Sequence, residues 1–210
     1  MTTTKRFTLG IVSLLAISAF MVVTGATQAA KPKEEKAPIW KGCKGESFLK
    51  GGKCQTISWG TLTFENAEIG NVTCKKSDAG NIWNPKEVPN ESGHDEVVLL
   101  DFYECTSSEE RCPGVSIKAL HLPWQTALFN NGAGGVYDRI EGIELEVTCP
   151  PKPAFIEKGT LRPTMVNGNP LYENFTAAAG SLTSPYGTVT VTGKDKNEGF
   201  ENQERLKVLY

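Results

Sequence analysis

The sequence is poor in the residues that carry most enzyme chemistry. It holds only two histidines, His94 and His121, and no Gly-x-Ser-x-Gly turn, so a serine nucleophile has neither a recognisable base nor an elbow. No two cysteines are separated by two to four residues, which removes the ligand spacing of a structural zinc site, and no metal or cofactor is expected. A basic stripe is missing too. Lys75 and Lys76 are the nearest thing to one and read as a solvated turn, and the formal net charge is −2, so nucleic acid is not an expected partner. There is no convincing apolar stripe of helical period, and beyond Val23 no run is apolar for long enough to span a bilayer.

What is present begins with a leader. Lys5 and Arg6 precede an almost uncharged stretch from Phe7 to Val23, followed by the small residues Gly25, Ala26, Ala29 and Ala30. That order reads as a signal peptide over residues 1–30, cut after Ala29 or Ala30. The leader's only charges are Lys5 and Arg6, so its removal takes the net charge from −2 to −4. Residues 31–38 are charged and proline-bearing with no large apolar side chain, and are expected to form a flexible arm. Structure is expected from residue 39, with a disulfide-closed loop over 39–55 and one β domain over 56–210.

All six cysteines follow the leader, and an even number in an exported chain reads as a disulfide framework. Six thiols allow fifteen pairings. Cys43 with Cys54 and Cys105 with Cys112 would each close a short loop. Cys74 and Cys149 end the similar segments Asn71-Val72-Thr73-Cys74 and Glu146-Val147-Thr148-Cys149, and are left to bridge a long one.

Period-two alternation is the strongest conformational signal. Ile143, Leu145, Val147 and Cys149 alternate with Glu144, Glu146 and Thr148, and Val189 and Val191 alternate with threonines. Val97 to Cys105 is apolar at both parities and is expected to be covered on both faces. Further strands are expected at Thr56–Phe64, Glu68–Cys74, Ser116–Leu120, Phe155–Leu161 and Arg205–Tyr210, with short helices at Gln125–Asn131 and Leu171–Ala179. The expected fold is all-β, an antiparallel β-sandwich or a closed β-barrel of about eight to ten short strands, stapled by disulfides.

Candidate sites are few. Trp59, Trp83 and Trp124 have the size and polarisable faces to line a pocket or stack on sugars, with Trp83 and Trp124 the chosen ligand-binding candidates. Glu144 and Glu146 face the same way and, with Asp101, form the carboxylate set that glycoside hydrolysis would need. His94 lies in a polar stretch with Asp95 and Glu96, and His121 in an apolar one. Asp195-Lys196-Asn197-Glu198-Gly199 resembles the start of a calcium loop, but its glycine comes one position early and Leu206 stands where glutamate is needed, so it reads as a turn. Sequons occur at Asn71, Asn90 and Asn174.

Trp59-Gly60-Thr61-Leu62-Thr63, Val72-Thr73-Cys74, Ala79-Gly80-Asn81-Ile82-Trp83-Asn84-Pro85, Phe102-Tyr103-Glu104-Cys105, Leu122-Pro123-Trp124 and Leu206-Lys207-Val208 together resemble a group of secreted proteins of soil actinobacteria, of the Solirubrobacter kind. The likeness covers residues 56–210, with the Cys43 to Cys54 segment as an addition. It implies a bacterial extracellular location and a β-rich domain carrying Cys74, Cys105, Cys112 and Cys149, and it implies no activity.

The expected function is that of a secreted, non-enzymatic β domain that binds a cell-envelope component or a small apolar ligand, or serves as a structural envelope component. The alternative is a secreted hydrolase acting on polysaccharide through Asp101, Glu144 or Glu146.

Overall fold

The computed structural model describes residues 36–44, 46–49, 51–86, 91–108 and 111–210. The signal-peptide expectation and most of the arm therefore fall outside the described residues. The arm's described end is tied down: the Lys36 carbonyl accepts from Asn130 Nδ2 and the Pro38 carbonyl from Gly93 N–H. Among the described residues no helix is long and apolar enough to cross a membrane.

The chain is all-β and antiparallel. Its strands are β1 (Ile39–Lys41), β2 (Cys54–Asn66), β3 (Gly70–Trp83), β4 (His94–Ser107), β5 (Ser116–Ala119), β6 (Trp124–Asn130), β7 (Val136–Thr148), β8 (Phe155–Leu161), β9 (Thr164–Val166), β10 (Leu171–Phe175), β11 (Ser181–Ser184), β12 (Gly187–Gly199) and β13 (Lys207–Leu209). Five of them run for 13 or 14 residues, longer than the short strands expected, because inward alternation continues through polar and glycine positions that read as turns.

Strands β2 to β12 form one sheet in which every strand is paired on both sides. β2, β3 and β4 follow one another; β5 and β6 lie end to end between β4 and β7; β8 and β9 flank β7 on its other side; they pair with β11 and β10, which both pair β12, and β12 returns to β2. Five long strands and three end-to-end pairs thus give eight positions in a closed, barrel-like ring, a size whose interior side chains just fill.

Two bulges set which side chains face inward on β4. Val98 is the extra residue where Ala79 pairs Leu99 and Gly80 pairs Val97, so Val97, Leu100 and Phe102 all pack inward. This overturns the expectation of cover on both faces: Leu99 is 63% exposed and Tyr103 40%. The second bulge lies between the Thr73–Thr106 and Lys75–Tyr103 pairs, where Glu104 has φ of 49°. It turns Cys105 inward, opposite Cys74.

The disulfides follow from that register. Cys43 bonds Cys54 as expected, but Cys74 bonds Cys105 and Cys112 bonds Cys149, with Cα separations of 4.0 and 4.7 Å. The expected Cys105–Cys112 and Cys74–Cys149 pairs are corrected, because cross-strand adjacency of β3 and β4 outweighs closeness in sequence. The Gln125–Asn131 helix is also corrected: Trp124, Thr126 and Leu128 point inward along β6. The Leu171–Ala179 helix is instead β10, followed by one 3₁₀ turn at Ala177–Ala179.

The interior is layered. One apolar cluster gathers Leu62, Phe64, Phe102, Trp124, Leu145 and Val191. A second, at the end where β2, β4, β7 and β10 begin, gathers Trp40, Phe48, Ile82, Leu128, Leu206 and Val208. Trp40 and Val208 come from the two-stranded β1–β13 ribbon, in which they pair directly, so residues near the two ends of the described chain close one end of the ring.

Candidate functional site

Between the apolar clusters lies a belt of charge. Extending the inward alternation of β3 from Val72 and Cys74 brings Lys76 and Asp78 inside; the same rule on β12 and β10 brings in Asp195 and Glu173. The pairing places Glu173, Asp195, Gly60 and Lys76 in one row across β10, β12, β2 and β3. Gly60 has no side chain, and a Cβ there would fall against Asp195 Oδ1 and the Lys194 carbonyl oxygen. The Lys76 side chain reaches across that gap to Asp195 Oδ2 and also contacts Asp78 Oδ2 at 2.8 Å, while Ser58 Oγ donates to Asp78. Asp138 accepts from Thr126 Oγ1 at 2.9 Å, and Asp95 is the cross-strand partner of Thr126.

Burial governs the protonation of this belt. It raises Asp95 and Glu173 well above their ordinary values; neighbouring carboxylates add to the effect in both, and the Lys76 charge opposes it at Glu173. Asp138 is pushed up to about 7 by burial, against its Thr126 hydrogen bond, the Arg139 backbone N–H and the Lys76 charge. Asp195 is raised by burial, which Lys76 offsets in part. Burial alone would lower Lys76, but the charges of Asp195, Asp78 and Glu173 together hold its ammonium above the ordinary lysine range. A polar cavity of about 30 Å³ adjoins the belt, lined by Trp40, Asp95 and Asn197 among others. Trp40 Nε1, Asp95 Oδ1 and Asn197 Nδ2 have no hydrogen-bond partner among the described residues. An apolar cavity of about 40 Å³ lies on the other side of Lys76 and Asp78. Both are roughly tenfold below the volume a small-molecule pocket requires, so neither of these two cavities holds a small apolar ligand.

A roomier concavity is on the outer face. It encloses about 430 Å³ and is lined by Trp59, Gly60, Thr61, Lys75, Tyr103, Tyr172, Lys194 and Lys196, within the range of ligand sites. Its side chains come from two adjacent outward rows. Lys194, Thr61, Lys75 and Tyr103 form one; Tyr172, Lys196 and Trp59 form the other. Lys194 Nζ sits 4.0 Å from the centre of the Tyr172 ring. Lys75 pairs with Glu104, whose hydrogen bond and charge raise the lysine pKa. Lys75 and Lys76, read as one solvated turn, are consecutive residues of β3 that point to opposite sides of the sheet.

The chosen aromatic candidates do not form this site. Trp124 is buried on β6, its Nε1 donating to the Leu120 carbonyl at 2.9 Å, so it is a core residue. Trp83 is the last residue of β3 rather than part of a loop; His94 stacks on it at 5.6 Å and Lys53 Nζ lies 4.6 Å from its centre. Both contacts take up ring faces that a ligand would need. Of the three tryptophans with the size to line a pocket, Trp59 alone lines the groove.

Asp101, Glu144 and Glu146 are on the outer surface and line neither cavity nor the groove. Lys118 stands between Asp101 and Glu146 in the ladder, and Glu144 pairs with His121 Nδ1 at 2.9 Å. His94 begins β4 and hydrogen-bonds Glu91. Asp195 to Gly199, expected as a turn, is the last part of β12. Asn71 and Asn174 lie in strands, and Asn90 is outside the described residues. Cys43, Cys54 and Glu204 come close enough together to suggest a metal site, but the two sulfurs are bonded to each other and Glu204 Oε2 accepts from Lys44 N–H at 2.8 Å. Compared with protein-family models, curated proteins and solved structures, the chain matches none of them.

Proposed function

We propose that this is a secreted, non-enzymatic binding domain whose outer-face groove takes an acidic polysaccharide of the cell envelope or its surroundings. The observation that carries the reading is the groove's lining: Trp59, Tyr103 and Tyr172 set among Lys75, Lys194 and Lys196 over about 430 Å³. Aromatic faces pack on the C–H faces of sugar rings, and ammonium groups pair with uronate or phosphate substituents along a polymer. A rigid sheet holds both kinds of group at fixed spacing, which limits the entropy lost on binding. Three disulfides fit an oxidising compartment, as do the leader and the resemblance to secreted bacterial proteins.

The hydrolase reading is weaker on geometry. Asp101 and Glu146 flank a lysine on the outer sheet face, and neither they nor Glu144 line the groove that could hold a sugar chain.

The test is affinity electrophoresis of the full-length exported protein in gels containing polygalacturonate or neutral dextran. The expected outcome is retardation by polygalacturonate alone, weakened about tenfold in W59A and in K194A/K196A, and diminished by added salt. Equal mobility in both gels, or retardation unchanged in W59A and K194A/K196A, would overturn the proposal.

A further inference from the structure

We propose that Lys76 and Asp195 become joined by an intramolecular isopeptide bond, which the protein forms itself, with Asp78 and Glu173 moving the protons. The two partners are 119 residues apart in sequence and in direct side-chain contact. They sit on β3 and β12, which are not neighbours, and meet only because Gly60 leaves the intervening position on β2 empty.

Four features make this more than a buried ion pair. Asp195 is 0% exposed, and its Oδ1 has no hydrogen-bond partner among the described residues while Oδ2 faces the lysine, so its carbonyl carbon is desolvated and close to the nucleophile. Such proximity within a fixed frame is what lets an unactivated amine and carboxyl react. Asp78 Oδ2 touches Lys76 Nζ at 2.8 Å and is placed to take a proton from it. Glu173 is the cross-strand neighbour of Asp195, and burial raises its pKa, with the Lys76 charge opposing the rise. Apolar rings border the pair: Phe175 lies 5.8 Å from Lys76 Nζ, and Phe102 is its partner on β4.

The reaction is a redox-neutral condensation that needs no co-reactant. Asp78 removes one proton from the Lys76 ammonium, and the freed Nζ lone pair attacks Asp195 Cγ. The Nζ–Cγ bond forms and one Cγ–O bond breaks. The departing oxygen leaves as water, carrying one proton from Glu173 and a second from Nζ, and the proton held by Asp78 restores Glu173. Lys76, Asp78 and Glu173 all line the polar cavity of about 30 Å³, which is large enough to receive that water.

Peptide mapping of the exported protein decides the matter. The protein is reduced, alkylated, denatured and digested with trypsin. The expected result is a linked pair of peptides containing Lys76 and Asp195, lighter than their sum by one water, with no cleavage after Lys76. The link should be absent in D195A and reduced to a trace in E173Q. Separate peptides from the wild-type protein, cleaved after Lys76, would overturn the bond whatever the variants do, and linkage at the wild-type level in E173Q would overturn the proton route.

Discussion

At the residue scale, the interior charges make stability depend on pH. Asp138 and Glu157 are 1% exposed, and burial pushes each up to about 7. The unfolded chain releases these protons near the ordinary carboxylate range, at about pH 4. Between about pH 4 and 7 the folded state thus binds more protons than the unfolded one, so stability falls as pH rises through that window. Each group contributes on the order of a few kcal/mol to that loss. The thermal midpoint measured from about pH 4 to 8 should fall less steeply in D138N and E157Q than in the wild-type protein; identical slopes would mean the groups titrate normally. Gly60 is the other sensitive residue. In G60A the methyl group has to displace Asp195 or the Lys194 backbone, so the urea midpoint should fall by an amount equivalent to about 2–4 kcal/mol. None of this is visible when the sequence is read for apolar alternation alone. Lys76, Glu173 and Asp195 occupy inward positions of alternating strands, and their polarity masks the pattern they belong to.

At the scale of elements, the sequence was most legible where one face is apolar and the other polar. β8 is expected at Phe155–Leu161 and is found there, the expected cores of β2 and β12 lie within their observed bounds, and the expected run Ile143–Cys149 lies in β7 up to Thr148. The errors have a common cause, which is long-range pairing. β3 was expected to stop at Cys74 but continues to Trp83, because β2 and β4 supply hydrogen-bond partners on both sides. The bulges of β4 reverse the facing of Cys105, and spacing in one chain cannot show this. Non-reducing peptide maps should contain Cys74–Cys105 and Cys112–Cys149 links and no Cys105–Cys112 link. The Cys74–Cys105 bond closes a separation of 31 residues, so C74S/C105S should lose about 3–4 kcal/mol in chemical denaturation.

At the scale of the whole molecule, the ring has no unpaired edge, which protects it from edge-to-edge association. The β1–β13 ribbon closes one end, and its Trp40 is 2% exposed and lines the polar cavity. W40A should therefore cost about 3–5 kcal/mol and admit water to the charged belt, read as a lower urea midpoint together with faster amide exchange on β3 and β12. Composition, alternation and cysteine number determined by themselves that the chain is all-β, antiparallel and disulfide-stapled, since these depend on each residue and its near neighbours along the chain. The tertiary structure alone decided which cysteines bond, that Lys76 and Asp195 meet inside the ring, and that Trp59, Tyr103, Tyr172, Lys75, Lys194 and Lys196 share one groove outside it. Those groupings join residues far apart in the sequence, and the register that aligns them comes from ring closure and bulges rather than from any local run of sequence.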